Sequence, residues 1–505
     1  MRGIMIQGTS SDAGKSFLVT ALCRIFANQG LKTCPFKSQN MSNNSYVTFD
    51  GYEIGRAQGV QAEAAKEEPN VYMNPILLKP KTDIQSEIVL MGKVFESQEG
   101  KDYYKSFTIN EGICAVRKSL KYIENNYDVI VIEGAGSPVE MNLNDTEIVN
   151  MRIAREADVP VILVTDIDRG GSFGSIVGTL ELLGEDRKRI KGIIFNKFRG
   201  DLSLFDDGVK FIEEYTGIKV VGVMPYLKDI KVENEDNLST NYYYKSSKKE
   251  KVIIGVVNMP FVSNNTDIEI FRYEDDVEIR AIDQFADFNF FDAVIIPGTK
   301  STIQDMQYLH NMGISKKIKE FYQSGGYVFG ICGGYQMLGE KIFDDIMVDS
   351  HSIAEIEGLS LLPVQTHFKS VKTVKRVSGM VIHRAFRGCK VSGYEIHLGV
   401  TSSIENDEFL PLMKIEDYVD GLANRDFKVA GTYMHNIFHN DEFRNNWLNL
   451  IRKSKGYFEK PMINTNTLKE EDYDNLAKEA YNHLDVAYIM NLINENGGKR
   501  NEELC

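Results

Sequence analysis

Residues 3–16, GIMIQGTSSDAGKS, decide how the N-terminal half of this 505-residue chain folds. An apolar run ends at Gly8, a loop of small and polar residues continues to Gly14, and Lys15 and Ser16 open a segment with apolar residues at helical spacing. In that context backbone N–H groups converge on an anion at a helix N-terminus, the lysine reaches outer phosphates and the serine can ligate Mg²⁺. The stretch predicts an ATP-binding phosphate loop formed by Gly8, Gly14, Lys15 and Ser16.

Further apolar runs alternate with helix-period segments up to about residue 235. Continuous apolar runs are typical of buried strands in a parallel sheet that is covered on both faces. The predicted strands are 3–7, 33–36, 128–133, 160–166, 192–196 and 220–224. They predict a doubly wound α/β domain over residues 1–236.

The alternation resumes after a polar, lysine-rich stretch, which we interpret as a linker at 237–250. A second doubly wound α/β domain is predicted at 251–445, with strands starting at 252, 293 and 327. Period-two segments predict antiparallel strands at the edge of its sheet, at 370–377, 394–398 and 429–433. Residues 446–505 are expected to form a helical extension, in which one apolar stripe at 472–494 docks on the body of the protein.

Composition excludes several classes of protein. The 58 basic and 72 acidic residues give a net charge of −14, which argues against nucleic-acid binding and leaves any anionic substrate to local donors, for which Arg56 and Lys79 are candidates. The purest apolar stretch, 159–164, is too short for a membrane span, so we expect a soluble cytoplasmic protein. The six cysteines form no C-x-x-C pair and predict neither disulfides nor zinc.

Two charged residues are expected at the carboxyl edge of the first sheet, where nucleotides bind. Glu133 ends a predicted strand, where it is either a metal ligand or a turn carboxylate. Lys37 follows another strand and is either catalytic or a solvated surface lysine. The sequence leaves both choices open.

The second domain carries the pattern G-x-C-x-G around Cys332, between a predicted strand and a predicted helix. This is the thiol counterpart of the nucleophile elbow: small residues flank a strained turn, and the N–H of the next residue, Gly333, can stabilise an oxyanion. The turn at Gly298 could supply a second oxyanion N–H. A buried, inert cysteine is the alternative. The base is expected to be His435, at the end of a late strand, with His397 as its competitor.

Long, unusual strings spread over nearly the whole chain resemble the cobyrinate amidotransferase family, which uses ATP and glutamine. They are QGTSSDAGKS, PFKSQNMSNNS, DGYEIGRAQ, MNPILLKP, VIEGAGSPVEMNL, DIDRGGSFGSIVGTL, NKFRGD, PGTKSTIQD, GICGGYQMLG, SGYEIHLG and GTYMHNIF. The family nucleophile matches Cys332, and the family histidine matches His435 rather than His397. The position where related glutaminases carry an orienting glutamate is Ile437, so the resemblance leaves the partner of the imidazole unknown.

The five residues between Gly8 and Gly14 also resemble the phosphate loop of dethiobiotin synthetases. That resemblance implies that Lys37 contacts the reacting phosphoryl group and that Mg²⁺ is held by Ser16, Asp50 and Glu133. The partners implied by the resemblance to the cobyrinate amidotransferase family are glutamine and a corrinoid, whose b, d, e and g carboxylates become amides. One alternative is the sister activity, which amidates the a and c carboxylates. Another is a nucleotide switch, which the absence of a lysine at Ser10 disfavours.

Overall fold

A computed structural model of the chain describes residues 1–80, 85–99, 103–142, 147–228, 230–232, 243–350, 352–404 and 406–496. The chain divides into two compact units. Unit 1 comprises Met1–Glu235 with Lys469–Cys505, and unit 2 comprises Asp236–Leu468. Within the described ranges, no helix is long and apolar enough to cross a membrane.

The strands are numbered along the chain. Those of unit 1 are β1 Gly3–Gly8, β2 Thr33–Phe36, β3 Gln39–Met41, β4 Ser45–Val47, β5 Glu53–Gly55, β6 Ile76–Pro80, β7 Gln85–Leu90, β8 Lys93–Glu99, β9 Val129–Glu133, β10 Val161–Asp166, β11 Ile190–Phe198 and β12 Val220–Pro225. Those of unit 2 are β13 Tyr243–Tyr244, β14 Val252–Val257, β15 Val277–Ile282, β16 Ala293–Ile296, β17 Tyr327–Ile331, β18 Lys341–Phe343, β19 Glu355–Glu357, β20 Val364–Val381, β21 Lys390–Ser403, β22 Phe409–Ile415, β23 Tyr418–Asn424 and β24 Val429–Thr432.

The α-helices are numbered in the same way. They are α1 Lys15–Asn28, α2 Arg56–Ala64, α3 Ile113–Asn126, α4 Met151–Glu156, α5 Ser172–Leu182, α6 Asp206–Thr216, α7 Thr266–Glu269, α8 Thr302–Asn311, α9 Ile314–Gln323, α10 Gly333–Leu338, α11 Asp441–Ser454, α12 Thr465–His483 and α13 Val486–Asn496. A π-helical segment, Tyr103–Gly112, leads into α3.

The main sheet of unit 1 is parallel, with the order β12-β11-β10-β1-β9-β2. Alternate side chains of β1 enter different cores: Ile4 and Ile6 pack on one face of the sheet and Met5 on the other. Because both faces are covered, every residue of β1 is buried. The predicted doubly wound fold is confirmed.

The C-terminal apolar stripe forms two helices, α12 and α13, rather than one continuous helix. The chain breaks at Leu484, which forms an isolated bridge to Gly222. Asp485 then donates its N–H to Val221 O and accepts the N–H of Tyr488, which caps α13. Both helices bury apolar side chains in the core that contains Ile4, including Leu476, Ala480, Ile489 and Ile493.

The large sheet of unit 2 contains a parallel portion in which β15, β14, β16, β17 and β24 are neighbours in that order. The predicted antiparallel strands at 370–377 and 394–398 lie in β20 and β21, which pair antiparallel. The edge position predicted for 429–433 is wrong. β24 is buried between β17, to which it is parallel, and β23, to which it is antiparallel.

The predicted domain boundaries at the two ends of unit 2 coincide with secondary structure: part of the predicted linker forms β13, and the predicted start of the extension lies in α11. Of the predicted linker, 237–242 lies outside the described residues, and Tyr243–Tyr244 pairs with β15 as strand β13. Position 446, the predicted start of the extension, falls inside α11. Phe443, Trp447 and Ile451 of this helix are buried in the core of unit 2, which explains why the chain continues as a helix there. Residues 497–505 of the extension lie outside the described part.

Candidate active sites

The phosphate loop of unit 1 has a conformation that requires glycine at its end. Gly14 adopts a φ of 94°, and a methyl group on it would come within 2.0 Å of Asn196 Nδ2, which donates to Ala13 O at 2.9 Å. The Lys15 ammonium bends back over the loop and donates to Ser10 O at 3.0 Å and Gly136 O at 3.1 Å. The ammonium thus bonds one carbonyl of the phosphate loop and one of the turn that follows β9.

Two other residues of the predicted nucleotide and metal site, Ser16 and Lys37, meet at Glu133, which is fully buried at the end of β9. Its Oε1 accepts from Ser16 Oγ and from Lys37 Nζ, each at 2.9 Å. These residues converge because β1, β9 and β2 are parallel neighbours whose carboxyl ends share one edge. The other oxygen, Oε2, accepts from Gln61 Nε2 at 2.5 Å.

Gln61 was not identified from the sequence. It lies on α2, where Gln58 and Gln61 are both buried although their side chains are polar. Two glutamines one helical turn apart would have drawn attention only if the burial of that face had been known. Glu133 thus has donors on both oxygens, and Lys37 balances its charge.

Asp50, the third expected metal ligand, lies on a hairpin turn. Asp50 is exposed in the turn between β4 and β5, where Thr48 bonds Gly51 and Tyr52 across the tip of the hairpin. The role of Asp50 as a third magnesium ligand stays a prediction.

Arg56 and Lys79, the candidate donors for an anionic substrate, are both buried, and their role in binding stays a prediction. The Lys79 ammonium forms an ion pair with buried Glu53 and donates to Ser45 Oγ at 2.7 Å. The Arg56 guanidinium lies over the Tyr46 ring, 5.3 Å from its centroid.

The donors at the edge of β9 suit a magnesium ion chemically. Ser16 Oγ and the Glu133 carboxylate are hard oxygen ligands that already touch, and the carboxylate already faces a positive charge. No cluster of three or more His, Cys, Asp or Glu side chains able to hold a metal occurs in the described ranges. Mg²⁺ needs no such cluster, since it usually takes one or two protein oxygens together with phosphates and water.

In unit 2, Cys332 stands between β17 and α10 in a strained conformation, with φ 51° and ψ −108°. Its backbone N–H donates to Thr432 O at 2.8 Å and its Sγ contacts Ile396 O at 3.4 Å. A non-glycine residue with positive φ at a strand-to-helix turn is the geometry of a nucleophile elbow. The thiol side chain is 6% exposed, within the core of unit 2.

His435 reaches the thiol because β24 runs parallel to β17 in the sheet, with Thr432 in register with Ile331. Its Nδ1 bonds Asp267 Oδ2 at 2.7 Å, and the other oxygen of Asp267 accepts the Asn436 N–H at 2.6 Å. Asp267 is the orienting partner that the sequence left unknown. It follows the loop after β14, and its 168-residue separation from His435 explains why spacing could not identify it.

The charges at this site favour the imidazolium form of His435. Burial alone would lower the pKa of the imidazole, but the charges of Asp267 and Cys332, and hydrogen bonds to both, raise it to about 10. An imidazolium beside a thiol stabilises the thiolate, which is the nucleophilic form.

His397 occupies a different environment. Its ring stacks on Tyr433 at 3.9 Å, its Nδ1 bonds Gly399 O at 2.8 Å, and its Nε2 faces Glu395 at 3.4 Å. The structure therefore brings His435, and not His397, into the Cys332–Asp267 arrangement.

Both glycines expected to support an oxyanion border the thiol. A methyl group at Gly298 would lie 2.9 Å from His435 Cε1 and 3.7 Å from Cys332 Cβ. Gly333 is the first residue of α10, where backbone N–H groups have no partner within the helix. A thiol elbow with an imidazole base and two adjacent glycine turns can form and break a thioester.

A thiol-elbow unit joined to a phosphate-loop unit defines a glutamine amidotransferase with its own nucleotide-binding domain. Residues 4–239 match the CobQ/CobB/MinD/ParA nucleotide binding domain, and residues 253–443 match the CobB/CobQ-like glutamine amidotransferase domain. The chain is 45% identical to a cobyric acid synthase of Geobacillus thermodenitrificans, covering 97% of this chain and 98% of the relative. It is 44% identical to that of Clostridium acetobutylicum, covering 99% and 100%.

The chain belongs to the cobyric acid synthase family. It is an ATP-dependent glutamine amidotransferase, a carbon–nitrogen ligase with glutamine as nitrogen donor. A solved glutamine amidotransferase of Thermotoga maritima is 12% identical, with a TM-score of 0.28, and covers 49% of this chain and 99% of its own.

Proposed function

We propose that the enzyme converts the b, d, e and g carboxylates of adenosylcobyrinic acid a,c-diamide to carboxamides, with ATP, Mg²⁺ and glutamine. Identity of about 45% to cobyric acid synthases over nearly the full length supports this substrate. The observation that carries the proposal is the presence, in one chain, of a carboxylate–lysine–serine site for activation and a thiol–imidazole–carboxylate site for ammonia release.

Glutamine supplies the nitrogen at unit 2. The Cys332 thiolate attacks the side-chain amide carbon, N–H groups at Gly298 and Gly333 stabilise the oxyanion, and His435 gives its proton to the departing ammonia. Water then cleaves the thioester to glutamate. Asp267 keeps Nδ1 of the imidazole engaged, so that Nε2 serves the reaction.

Unit 1 activates the acceptor. A corrinoid carboxylate oxygen attacks the γ-phosphorus of ATP, ADP leaves, and ammonia displaces phosphate from the acyl phosphate. Lys15 moves from its carbonyl partners to the phosphates, and Lys37 contacts the transferred phosphoryl group. Ser16 and Glu133 would hold Mg²⁺, which offsets the negative charge of the phosphates when bound.

One activation site serves all four carboxylates. The sequence has one phosphate loop and one thiol elbow, whereas four acceptor groups spaced around a macrocycle cannot all face one site in a single pose. We therefore expect partly amidated corrinoids to be released and rebound between steps.

Product mass spectrometry tests the proposal. Incubation of labelled a,c-diamide with ATP, Mg²⁺ and glutamine should yield four added amides. Tri- to penta-amide intermediates should appear first, and an unlabelled a,c-diamide chase should dilute their label. Cobyrinic acid, which lacks the a and c amides, should be the poorer acceptor. The reverse preference would assign the sister activity, which amidates the a and c carboxylates. Fully amidated product without exchange into the chase would disprove release between steps.

A further inference from the structure

The turn at 297–301, which joins β16 to α8, lies directly against the thiol elbow. A methyl group on Gly333 would approach Thr299 Cγ2 to 2.6 Å and Thr299 N to 3.1 Å. Thr299 also follows Gly298, which borders both Cys332 and His435. Thr299 is therefore the residue that connects the two expected oxyanion glycines.

The Thr299 hydroxyl group bonds a buried carboxyl group. Its Oγ1 bonds Phe261 O at 3.0 Å and also bonds Oδ2 of Asp305, a fully buried residue on α8. Asp305 Oδ1 accepts the Phe261 N–H at 3.2 Å. The same segment pairs with the turn through Lys300 N–H to Phe261 O at 2.9 Å and Ser263 N–H to Gly298 O at 2.9 Å.

The hydrogens in this chain of contacts can be counted. Thr299 Oγ1 accepts the Ser301 N–H at 3.1 Å and lies at bonding distance from two oxygens, Phe261 O and Asp305 Oδ2, but a hydroxyl carries only one hydrogen to donate to them. An ionised Asp305 would take that hydrogen and leave Thr299 Oγ1 facing the Phe261 carbonyl without one. A protonated Asp305 donates to Thr299, which donates to Phe261 O, so every contact then contains a hydrogen.

We propose that Asp305 is a neutral carboxylic acid in the working enzyme and that, through Thr299, it positions the 297–301 turn for glutamine hydrolysis. Asp305 is a positioning residue, since it contacts Thr299 and Phe261 rather than the thiol. This inference rests on the proposed role of the turn in oxyanion stabilisation.

The electrostatic surroundings of Asp305 agree with the hydrogen count. The pKa of Asp305 is raised to about 7: burial is the main cause and the charge of Asp349 adds to it, while the hydrogen bonds that an ionised Asp305 would accept from Thr299 and Phe261 act against the rise. Asp349 is half-buried. Desolvation raises the pKa of its carboxyl group to about 6, and the charge of Asp344 raises this pKa while that of Lys300 lowers it. Because the protonated form is the functional one, glutaminase kcat should fall as the pH rises through the pKa of Asp305.

Four substitutions in the full chain test the inference, with glutamine hydrolysis measured under saturating ATP and corrinoid. Asp305→Asn keeps a donor toward Thr299 and an acceptor toward Phe261, so kcat should stay within about threefold of the original enzyme. Asp305→Ala and Thr299→Val break the chain and should lower kcat about 10- to 100-fold, with a smaller change in the KM for glutamine. Thr299→Ser keeps the hydroxyl and serves as the matched control.

The pH profile separates positioning from simple packing. The loss of kcat above about pH 7 should disappear in Asp305→Asn, which cannot ionise. An isotope-edited infrared difference spectrum of the original enzyme against Asp305→Asn should show a protonated carboxyl band at pH 6 that disappears on alkaline titration. This readout does not depend on turnover or on the Asp305→Ala variant folding.

Two outcomes would overturn the inference. If folded Asp305→Asn loses as much kcat as Asp305→Ala, the enzyme needs the negative charge, and if no protonated carboxyl band appears, the proton is absent. Failure of the proposed function is separately visible, because Cys332→Ala would then retain glutamine hydrolysis whatever the behaviour of Asp305.

Discussion

The Glu133 and Cys332 sites hold buried reactive groups by different means. At Glu133 the carboxylate accepts hydrogen bonds from the side chains of Ser16, Lys37 and Gln61. At Cys332 the nucleophile is fixed by its own strained backbone and by a backbone hydrogen bond to Thr432. Side chains can exchange partners when a ligand arrives, whereas a backbone turn keeps its shape.

This difference suggests that the two sites are prepared to different degrees. In the proposed reaction Lys15 and Lys37 leave their present oxygens to meet phosphates, so we expect the synthetase site to rearrange on binding. The glutaminase site has its nucleophile, base and orienting carboxylate already assembled. We expect substitutions at the assembled site to act on turnover, and those at the rearranging site to act on ligand binding as well.

The largest separation between the sites is expected from Cys332→Ala. Loss of the nucleophile should lower glutamine-dependent synthesis by about 10⁴-fold or more, because no thioester forms. Synthesis from added ammonium salts should continue, since the thiol takes no part in carboxylate activation. Assays with each nitrogen source measure the ratio, and the loss of both activities in a folded protein would contradict two separate sites.

Lys15→Ala should affect the other site by roughly 10³-fold. Without the ammonium on the phosphates, little acyl phosphate forms and synthesis falls with either nitrogen source. Equilibrium binding of a non-hydrolysable ATP analogue should weaken as well. Lys66→Ala, which removes an exposed lysine bonded to Asn28, is the control and should behave normally. Ammonia-dependent synthesis near the normal rate in Lys15→Ala would exclude this loop as the activation site.

Asp267→Asn tests how far the assembled site depends on one charge. Glutaminase kcat should fall about 10²- to 10⁴-fold, because the imidazole loses the carboxylate that orients it. The pKa of His435, raised to about 10 in part by Asp267, should drop, so the imidazolium signal in NMR should titrate at lower pH. His397→Ala should leave that titration in place, and if it alone abolished hydrolysis, the base would be misassigned.

The same substitution changes the pH dependence of stability. A histidine with a raised pKa in the folded state stabilises the fold fully below its ordinary value of 6.5, and this contribution is lost as the pH rises through about 10. Asp267→Asn should remove most of that contribution. Denaturant unfolding at pH 6 and pH 9 should therefore differ less in the variant than in the original enzyme.

The contrast between the sites also explains what the sequence could predict. The phosphate loop and the thiol elbow are each formed by residues that are close together in the sequence. Their backbone requires glycine at fixed positions, as at Gly14 with its φ of 94°, so a short motif identifies each of them. Continuous apolar runs likewise predicted the parallel strands. Period-two alternation wrongly predicted that β24 lies at the edge of the sheet. Gly431 of β24 pairs with strands on both sides, and a residue of this kind does not indicate which strands are its neighbours.

Residues that act through long-range contacts were missed for a physical reason. Asp267 contacts His435 across a separation of 168 residues, and Gln61 contacts Glu133 across 72 residues. The tertiary fold of each unit, rather than the local sequence, brings each pair together. The assignment of Asp50 as a metal ligand stays a prediction, since a position in the sequence does not fix where the side chain lies. A carboxylate with a suitable position in the sequence lies on an exposed hairpin turn, while nearby Glu53 is buried and paired with Lys79.

Gln61→Met should give the smallest effect and tests whether the side-chain contacts on Glu133 matter individually. Methionine keeps the volume but removes the donor to Oε2, so the carboxylate is no longer fixed with Oε1 toward Ser16. Contacts that orient a metal ligand are typically worth 10- to 100-fold in affinity, and we expect about tenfold here. Paramagnetic resonance of Mn²⁺ with a non-hydrolysable ATP analogue measures the affinity without turnover, and the Mg²⁺ requirement of ammonia-dependent synthesis should rise in parallel.

Gln58→Met is the matched control, since Gln58 is buried on the same helix but bonds Asn40. Equal losses in both variants would assign the effect to packing of α2, and unchanged Mn²⁺ affinity in Gln61→Met would show that Ser16 and Lys37 suffice to orient Glu133.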